Sequence, residues 1–171
     1  SDDLTITAGT GVVTLTGAVT LNDNDLTIAS SQNSVVTTGI SGSSGALDIT
    51  DSGTTDVNGA LAMSGAGTIT LDAATLGADA TTVGGAIAFR GAVTGDKGSA
   101  TAVGTGAGAG AVTFGNTLGL TSGGSDDLTI TAGTGVVTLT GAVTLNDNDL
   151  TIASSQNSVV TTGISGSSGA L

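Results

Sequence analysis

Residues 1–47 of the chain read SDDLTITAGTGVVTLTGAVTLNDNDLTIASSQNSVVTTGISGSSGAL, and the same 47 residues recur without a change at 125–171. The two copies are offset by 124 residues, and their identity extends to turn and surface positions that packing does not constrain. The copies are therefore recent or homogenised, or the chain is a window on a longer periodic array. We favour the window, with 1–124 as one full repeat unit and 125–171 as the start of the next, in a single continuous segment 1–171. The chain stops at Leu171, in the middle of an expected strand.

Short segments with an alternating pattern fill both the repeat and the residues between its copies. Each segment places an apolar residue at every second position and Thr or another small residue in between, which is the period of a strand buried on one face. Gly, Asn, Asp and Ser separate the segments, and these residues favour turns because they tolerate positive φ or hydrogen-bond their own backbone. The segments are residues 4–7, 13–16, 19–21, 26–28, 47–50, 61–63, 69–71, 87–89 and 112–114.

The spacing of these segments selects among β architectures. Similar strands begin at Leu4, Leu26 and Leu47, which are 22 and 21 residues apart. Coils of about 20–25 residues with two or three short strands are typical of a parallel β-helix (β-solenoid), in which successive coils pair about 4.8 Å apart. One 124-residue unit would then hold five or six coils and span roughly 24–29 Å of the axis. A sandwich or barrel of antiparallel strands explains the alternation but not the recurring interval.

The composition favours a β protein and excludes several kinds of chemistry. Thr occurs 32 times, Gly occurs 30 times and mean hydropathy is +0.40, so the chain is too apolar and too rich in β-branched residues to expect disorder. Cys and His are absent, which removes disulfides, thiol nucleophiles and the commonest general base and metal ligand. Two basic residues against 14 Asp give a net charge of −12, so we expect no nucleic-acid partner. The chain lacks a run of about 18 apolar residues, so we expect no membrane insertion of this segment.

Three stretches of the chain resemble a known family. Residues 17–21 (GAVTL), 25–28 (DLTI) and 45–49 (GALDI), spaced by turns of Gly, Ser and Asn, are similar to bacterial surface adhesins of the filamentous-haemagglutinin and autotransporter-passenger type. The resemblance extends over essentially the whole chain in style, without a diagnostic motif. It implies a right-handed parallel β-helix that is secreted or held at the cell surface. It also implies a role in adhesion or in an extracellular fibre, with no catalytic residues to carry over.

The densest acidic positions lie in turns of the repeat. Asp23 and Asp25 flank an Asn, and the second copy repeats them as Asp147 and Asp149. Clustered oxygens suit Ca²⁺, which takes six to eight oxygen ligands, so these four residues are the candidate metal ligands and calcium is the candidate cofactor. The spacing of an EF-hand and the Gly-rich nonapeptide of calcium-binding β-rolls are both missing. The alternative is that these Asp and Asn residues cap turns and keep the surface soluble.

Other features suggest chemistry that ordinary structure explains as well. Outward T-x-T triplets resemble the arrays that some antifreeze proteins present to ice, but β-propensity accounts for outward Thr without a ligand. The Gly-rich segment 104–110 is followed by a strand, where a phosphate loop needs a helix. Arg90 and Lys97 are interpreted as solubilising an outward face or turn, and we expect no enzyme. The triplets are residues 5–7, 14–16 and 68–70.

The repeat and the alternation together favour a structural role. We expect a repeat region of a secreted or cell-surface bacterial protein, either an adhesin stalk or an extracellular filament. Its partner would be other copies of itself, through end-to-end or lateral association, together with a host or neighbouring-cell surface. The alternative function is a binding module for Ca²⁺ or glycan, arrayed for avidity.

Overall fold

The fold is known from a computed structural model in which residues 2–121, 124–154, 156–160 and 162–166 are described. Within these ranges the regular secondary structure consists of β-strands alone, and the chain winds through about eight turns. The expected strand at Leu171 lies outside the described residues. The strands are β1 (Leu4–Gly9), β2 (Val13–Leu15), β3 (Val19–Thr20), β4 (Leu26–Ser30), β5 (Ser34–Val36), β6 (Ile40–Gly42), β7 (Leu47–Val57), β8 (Leu61–Met63), β9 (Ile69–Leu76), β10 (Ala80–Thr81), β11 (Ile87–Phe89), β12 (Val93–Gly95), β13 (Thr101–Gly104), β14 (Val112–Phe114), β15 (Leu118–Leu120), β16 (Leu128–Gly133), β17 (Val137–Leu139), β18 (Val143–Thr144), β19 (Leu150–Ser154), β20 (Val159–Val160) and β21 (Ile164–Ser165).

Strands of successive turns form three stacks along the axis, and every pair in them is parallel. Stack 1 contains β1, β4, the first parts of β7 and β9, β11, β14, β17 and β20. Stack 2 contains β2, β5, the last parts of β7 and β9, β12, β15, β18 and β21. Stack 3 contains β3, β6, β8, β10, β13, β16 and β19. The predicted β-solenoid is therefore confirmed, and the antiparallel sandwich or barrel is wrong.

We number the coils from one stack 1 strand to the next, so that β1–β3 form coil 1 and β20–β21 belong to coil 8. Leu4 pairs with Leu26 and Leu26 with Leu47, so the predicted steps of 22 and 21 residues are those of the fold. The step from Ile69 to Ile87 is only 18 residues, below the predicted range, and the step from Ile87 to Val112 is 25. Coil 4 is short because of β9. This strand contributes to both stack 1 and stack 2 with only 8 residues, whereas β7 does so with 11.

The interior is a column of aliphatic side chains that the alternation directs inward. In β11, Ile87 and Phe89 are buried while Ala88 between them is partly exposed, and β14 repeats the pattern. Phe89 and Phe114 are register partners on neighbouring coils, and their rings stack with centroids 4.8 Å apart. One buried cluster extends from Val13 to Leu150. Burial of each large aliphatic side chain contributes about 1.5–3 kcal/mol relative to exposure, so the column is the main source of stability.

Glycine occupies the positions where neighbouring coils approach most closely. A Cβ on Gly85 would come closer than 3.0 Å to the backbone of Gly67, and one on Gly110 would do the same to the backbone of Gly85. No other residue fits at such a distance without moving a coil, which explains why Gly recurs before the strands of stack 1. The aligned positions are Gly45, Gly67, Gly85, Gly110 and Gly135.

Candidate functional site

The first acidic turn, which leads from β3 to β4, is bonded to the coil that follows it. The Asp23 carboxylate accepts a hydrogen bond from the Ser43 hydroxyl, and this bond, together with one from Ser44, lowers the pKa of Asp23. Asp25 Oδ1 accepts a hydrogen bond from the backbone N–H of Ala46 at 2.8 Å. Both candidate ligands of the first copy therefore accept hydrogen bonds from the next turn along the axis, as the turn-capping alternative predicts.

The second acidic turn, between β18 and β19, repeats a backbone hydrogen bond of the first but not its whole conformation, since φ is positive at Asp147 and not at Asp23. The N–H of Asp149 donates to Asp127 Oδ1 at 2.8 Å, as the N–H of Asp25 donates to Asp3 Oδ1 at 3.1 Å in the first copy. Asp147 has a φ of 67°, in the left-handed region that Asp tolerates better than most residues. The structure thus keeps each pair of candidates in a turn between two strands, at a junction between coils in the first copy and within coil 7 in the second.

The Asn at the centre of each acidic turn makes the most buried contacts there. Asn148 is fully buried, its Oδ1 accepts from the N–H of Asp126 at 2.7 Å, and its Nδ2 donates to the Leu145 carbonyl at 2.8 Å. Asn24 makes the corresponding two bonds in the first copy. The sequence predicts turn capping by Asn but not this connection between coils, because Asn was grouped with the carboxylates as a source of ligand oxygens. The missed signal is that an amide donates and accepts at once, so it can connect two coils.

The acidic turns do not converge into a larger cluster. In the part of the chain that the structure describes, no group of three or more acidic side chains is arranged to hold a metal ion. Asp23 and Asp25 are also both exposed. Calcium binding by Asp23, Asp25, Asp147 and Asp149 stays a prediction.

Arg90 connects three coils on the outer face of stack 1. Its Nη1 lies 3.2 Å from Asp48 Oδ1 and 3.3 Å from Asp72 Oδ1. Partial burial acts to lower the pKa of Arg90, but the carboxylates of Asp48 and Asp72 outweigh burial and raise it. The Arg90 side chain is half exposed, so each ion pair contributes about 0–1 kcal/mol. The sequence predicts a solubilising role for Arg90, and the structure shows in addition that its ion pairs connect coils 3, 4 and 5.

Lys97 fixes the loop between β12 and β13. Its Nζ lies 2.8 Å from Asp79 Oδ1 in the preceding coil, and the same oxygen accepts the N–H of Ala102 at 3.0 Å. Burial acts to raise the pKa of Asp79, but the hydrogen bonds from Lys97 and Ala102 outweigh it and leave the pKa below its ordinary value. On the other side of the loop, the N–H of Gly98 donates to the buried Asp126 at 2.6 Å. The loop is therefore held by an Asp from each neighbouring coil.

A buried polar cluster lies at the corner between stacks 1 and 2 in coils 2 and 3. Asp51 is 3% exposed, and its Oδ2 accepts a hydrogen bond from the Thr55 hydroxyl at 3.1 Å. Asp51 Oδ1 and the hydroxyl of buried Ser34, which is the register partner of Thr55, have no hydrogen-bond partner among the described residues. Buried polar atoms without a partner cost about 1–3 kcal/mol each, so this corner is less favourable than the aliphatic interior beside it. This burial could have been recognised in the sequence, because Asp51 lies at a position where the alternation of β7 places a side chain inside the solenoid.

The outward-facing residues of stack 1 show whether the T-x-T triplets form a regular array of Thr, as in some antifreeze proteins. Asp48 and Ala88 interrupt the Thr residues of this row, so Thr does not form an unbroken array on this face. Arg90 and its two ion pairs also cover part of the same face. The row, in register from coil 1 to coil 7, is Thr5, Thr27, Asp48, Thr70, Ala88, Thr113 and Thr138.

The Gly-rich segment 104–110 is a tight corner between stacks 3 and 1. The Thr105 hydroxyl is buried and donates to the Gly110 carbonyl across the segment at 2.8 Å. The chain then enters β14, as the sequence predicts, so the segment lies between two strands. It has no helix N-terminus on which a phosphate could sit.

Comparison of the chain with family models, with curated proteins and with solved structures finds no match. Among the described residues, no helix has the length and apolar character that a membrane crossing requires.

Proposed function

We propose that the chain is a length of structural scaffold from the repeat region of a secreted or cell-surface bacterial protein, either an adhesin stalk or an extracellular filament. The observation that supports this most is the parallel, in-register stacking of strands from β1 to β21 over one continuous aliphatic column. The outward rows carry mainly small, neutral side chains. The charged residues with the best-defined contacts, Arg90, Lys97 and Asp79, join coils to one another.

The energetics of a solenoid suit this role. Stability is approximately a sum over coils and their nearest-neighbour interfaces, so one coil alone does not fold while many in register do. Ordering the backbone costs roughly 1–2 kcal/mol per residue, and burial against both neighbouring coils offsets that cost. Repetition of the same unit therefore adds length without requiring new folding information.

The pairing of the coils supports self-association as the main partnership. Neighbouring coils are joined through parallel strand edges, so a further copy can add its strands to the stack by the same pairing. Unpaired parallel edges are templates for further strands. In the native object, neighbouring copies, joined covalently or not, cover these edges. A host or neighbouring-cell surface is the second partner in this proposal.

The proposal is tested with chains that carry one, two and three units of 124 residues. Small-angle scattering should give particles of constant cross-section that lengthen by roughly 24–29 Å per unit, because each unit adds between five and six coils at about 4.8 Å. Far-ultraviolet circular dichroism should show β structure throughout. A maximum dimension that does not grow with the number of units would contradict the scaffold.

The alternative calcium module is separated by a second measurement on the same chains. The melting temperature is compared with and without EDTA, and the double variant D23N/D25N, introduced in every unit, serves as the matched control. A scaffold without metal keeps its melting temperature in EDTA. A large EDTA-dependent fall that D23N/D25N abolishes would instead favour the arrayed calcium module.

A further inference from the structure

The two copies of the 47-residue sequence lie on different stacks of the solenoid. The sequence LTITAG forms β1 in stack 1, where it pairs with β4, and forms β16 in stack 3, where it pairs with β13 and β19. The next strand of the repeat is in stack 2 as β2 and in stack 1 as β17. The third is in stack 3 as β3 and in stack 2 as β18. The remaining described strands, β19 to β21, follow in stacks 3, 1 and 2, so the second copy is displaced by one stack in the same sense over its described residues.

The local fold of the two copies is nevertheless the same. Leu4 pairs with Leu26 and Leu128 pairs with Leu150, and both ladders continue residue for residue. Both also show the same register shift, at Gly9 in the first copy and at Gly133 in the second. The repeat thus keeps its own strands, corners and pairing while its position around the axis changes.

The length of the unit explains the displacement. Five full turns lead along stack 1 from Leu4 to Val112, through register partners at each coil. The remaining residues of the unit pass stack 2 and reach stack 3 at Leu128, the counterpart of Leu4. The 124-residue unit therefore advances five and two-thirds turns. All three stacks accept the same alternation of apolar and small residues, so no strand has to change its pattern on a new stack.

We infer that successive units present the same surface in three directions around the fibre, one third of a turn apart. This inference rests on the proposed scaffold function, because it concerns an array of units. Each step would move a surface feature by about 27 Å along the axis, and three units, or 17 turns, would return it to its first direction. The Arg90 ion pairs and the Lys97 loop would then form three rows. A partner that recognises one unit, including a neighbouring fibre, would meet this scaffold on three sides.

The displacement is tested in this chain by an engineered disulfide, since the chain has no Cys. Ala102 and Thr129 are register partners in stack 3, and Thr129 is exposed. Neighbouring strands at about 4.8 Å fall within the Cα separation of a disulfide, about 4.4–6.8 Å. The variant A102C/T129C should therefore form its disulfide under mild oxidation.

The matched control is T113C/T129C. In the observed fold Thr113 pairs with Thr138 in stack 1, so this variant should stay reduced under the same conditions. If the second copy instead began on stack 1, in phase with the first, Thr129 would follow Thr113. A disulfide in T113C/T129C, or none in a folded A102C/T129C, would overturn the displacement.

The array itself is tested with a three-unit chain that carries T113C in each unit, biotinylated and labelled with streptavidin. Electron microscopy should show successive labels turned by one third of a revolution. Labels in a single row would overturn the three-row inference even if the chain lengthens as the scaffold proposal requires. A chain that fails to lengthen would overturn the scaffold and leave the disulfide result to stand by itself.

Discussion

The first and second copies of the repeat have the same sequence but differ in exposure where one copy lacks a neighbouring coil. Leu4 is 53% exposed at the first coil, while its counterpart Leu128 is 2% exposed because β13 lies beneath it. The order reverses for a later residue of the repeat: Val36, in coil 2, is 1% exposed, while its counterpart Val160, in the last coil, is 40% exposed. Identical residues therefore differ in burial according to which neighbouring coil is present. In a solenoid, the contribution of a residue is a property of the interface as much as of the residue.

The largest effect is expected when Leu128 and Leu4 are each replaced by Ala. Leu128→Ala should lower the free energy of unfolding by about 2–5 kcal/mol, because it removes a large side chain from a closed interior. Leu4→Ala should lower it by less than about 1 kcal/mol, since Leu4 is half exposed already. Urea denaturation followed by circular dichroism measures both. Equal losses would contradict the different environments of the two copies.

Gly141 and its counterpart Gly17 test how closely neighbouring coils approach each of the two copies. A Cβ on Gly141 would come closer than 3.0 Å to the backbone of Asn116 and Thr117 in the coil beneath, while a Cβ on its counterpart Gly17 would have nothing within 4 Å. Gly141→Ala should therefore lower the free energy of unfolding by about 1–3 kcal/mol, as overpacking does. Gly17→Ala should be neutral or stabilise the fold by up to about 1 kcal/mol. Thermal melts of the two single variants decide this, and a harmless Gly141→Ala would argue against close approach of coils 6 and 7.

A valine pair reverses the direction of the comparison. Val36→Ala should lower the free energy of unfolding by roughly 1.6 kcal/mol, from about 0.8 kcal/mol for each buried carbon removed. Val160→Ala should cost less than half of that, because Val160 is partly exposed in β20. Here the first copy is the sensitive one, so the pair separates burial from any general fragility of the second copy. Urea denaturation measures both variants, and hydrogen exchange of the flanking amides should give the same order; a larger loss for Val160→Ala would contradict it.

The smallest expected effect is the acid response of the Lys97 loop, which has no counterpart in either 47-residue copy. The pKa of Asp79 is lowered in the folded state, so its stabilisation is complete above the unfolded value of about 3.9. This stabilisation is lost as the pH falls through the folded value. For a partly exposed pair it should amount to less than about 1 kcal/mol. Asp79→Asn should flatten the dependence of unfolding free energy on pH in this acid range.

Lys97→Met is the control for the acid response. It leaves Asp79 titratable but removes the hydrogen bond and the charge that lower its pKa, so it should also weaken the acid dependence. Unfolding curves at several pH values below 5 measure both variants. An unchanged pH profile in both would mean that Lys97 and Asp79 do not stabilise the loop.

The fold was predictable because the same kind of residue returns at the same inward position in each coil. Leu4, Leu26 and Leu47 are register partners, and their spacing in the sequence is the length of a coil. The displacement of the second copy was not predictable from the alternation, because that pattern fits all three stacks equally. The extent of β7 was also missed. The sequence predicts a strand over 47–50, while the chain continues as a strand through a register shift to Val57.

The turn residues were predictable in type but not in partner. Asp23 and Ser43 are 20 residues apart, so their contact appears only once the coil length is known. The buried Asn148 and Asp51 were missed for a related reason, since their environment is made by coils distant in the sequence. The alternation in a sequence indicates which way a side chain of a strand faces. Its neighbours along the axis can be identified only when the length of every coil is known.

The lateral pairing of coils also determines how the molecule would respond to tension. Each coil is joined to the next by rows of hydrogen bonds that run parallel to the axis, and the outermost coil has a partner on one side only. A pull at one end would therefore peel that coil away before disturbing the rest. The step of 22 residues from Leu4 to Leu26 would lengthen from about 4.8 Å of axis to roughly 70 Å of extended chain. The same object would thus act as a stiff rod under low load and as a tether that yields in steps under high load.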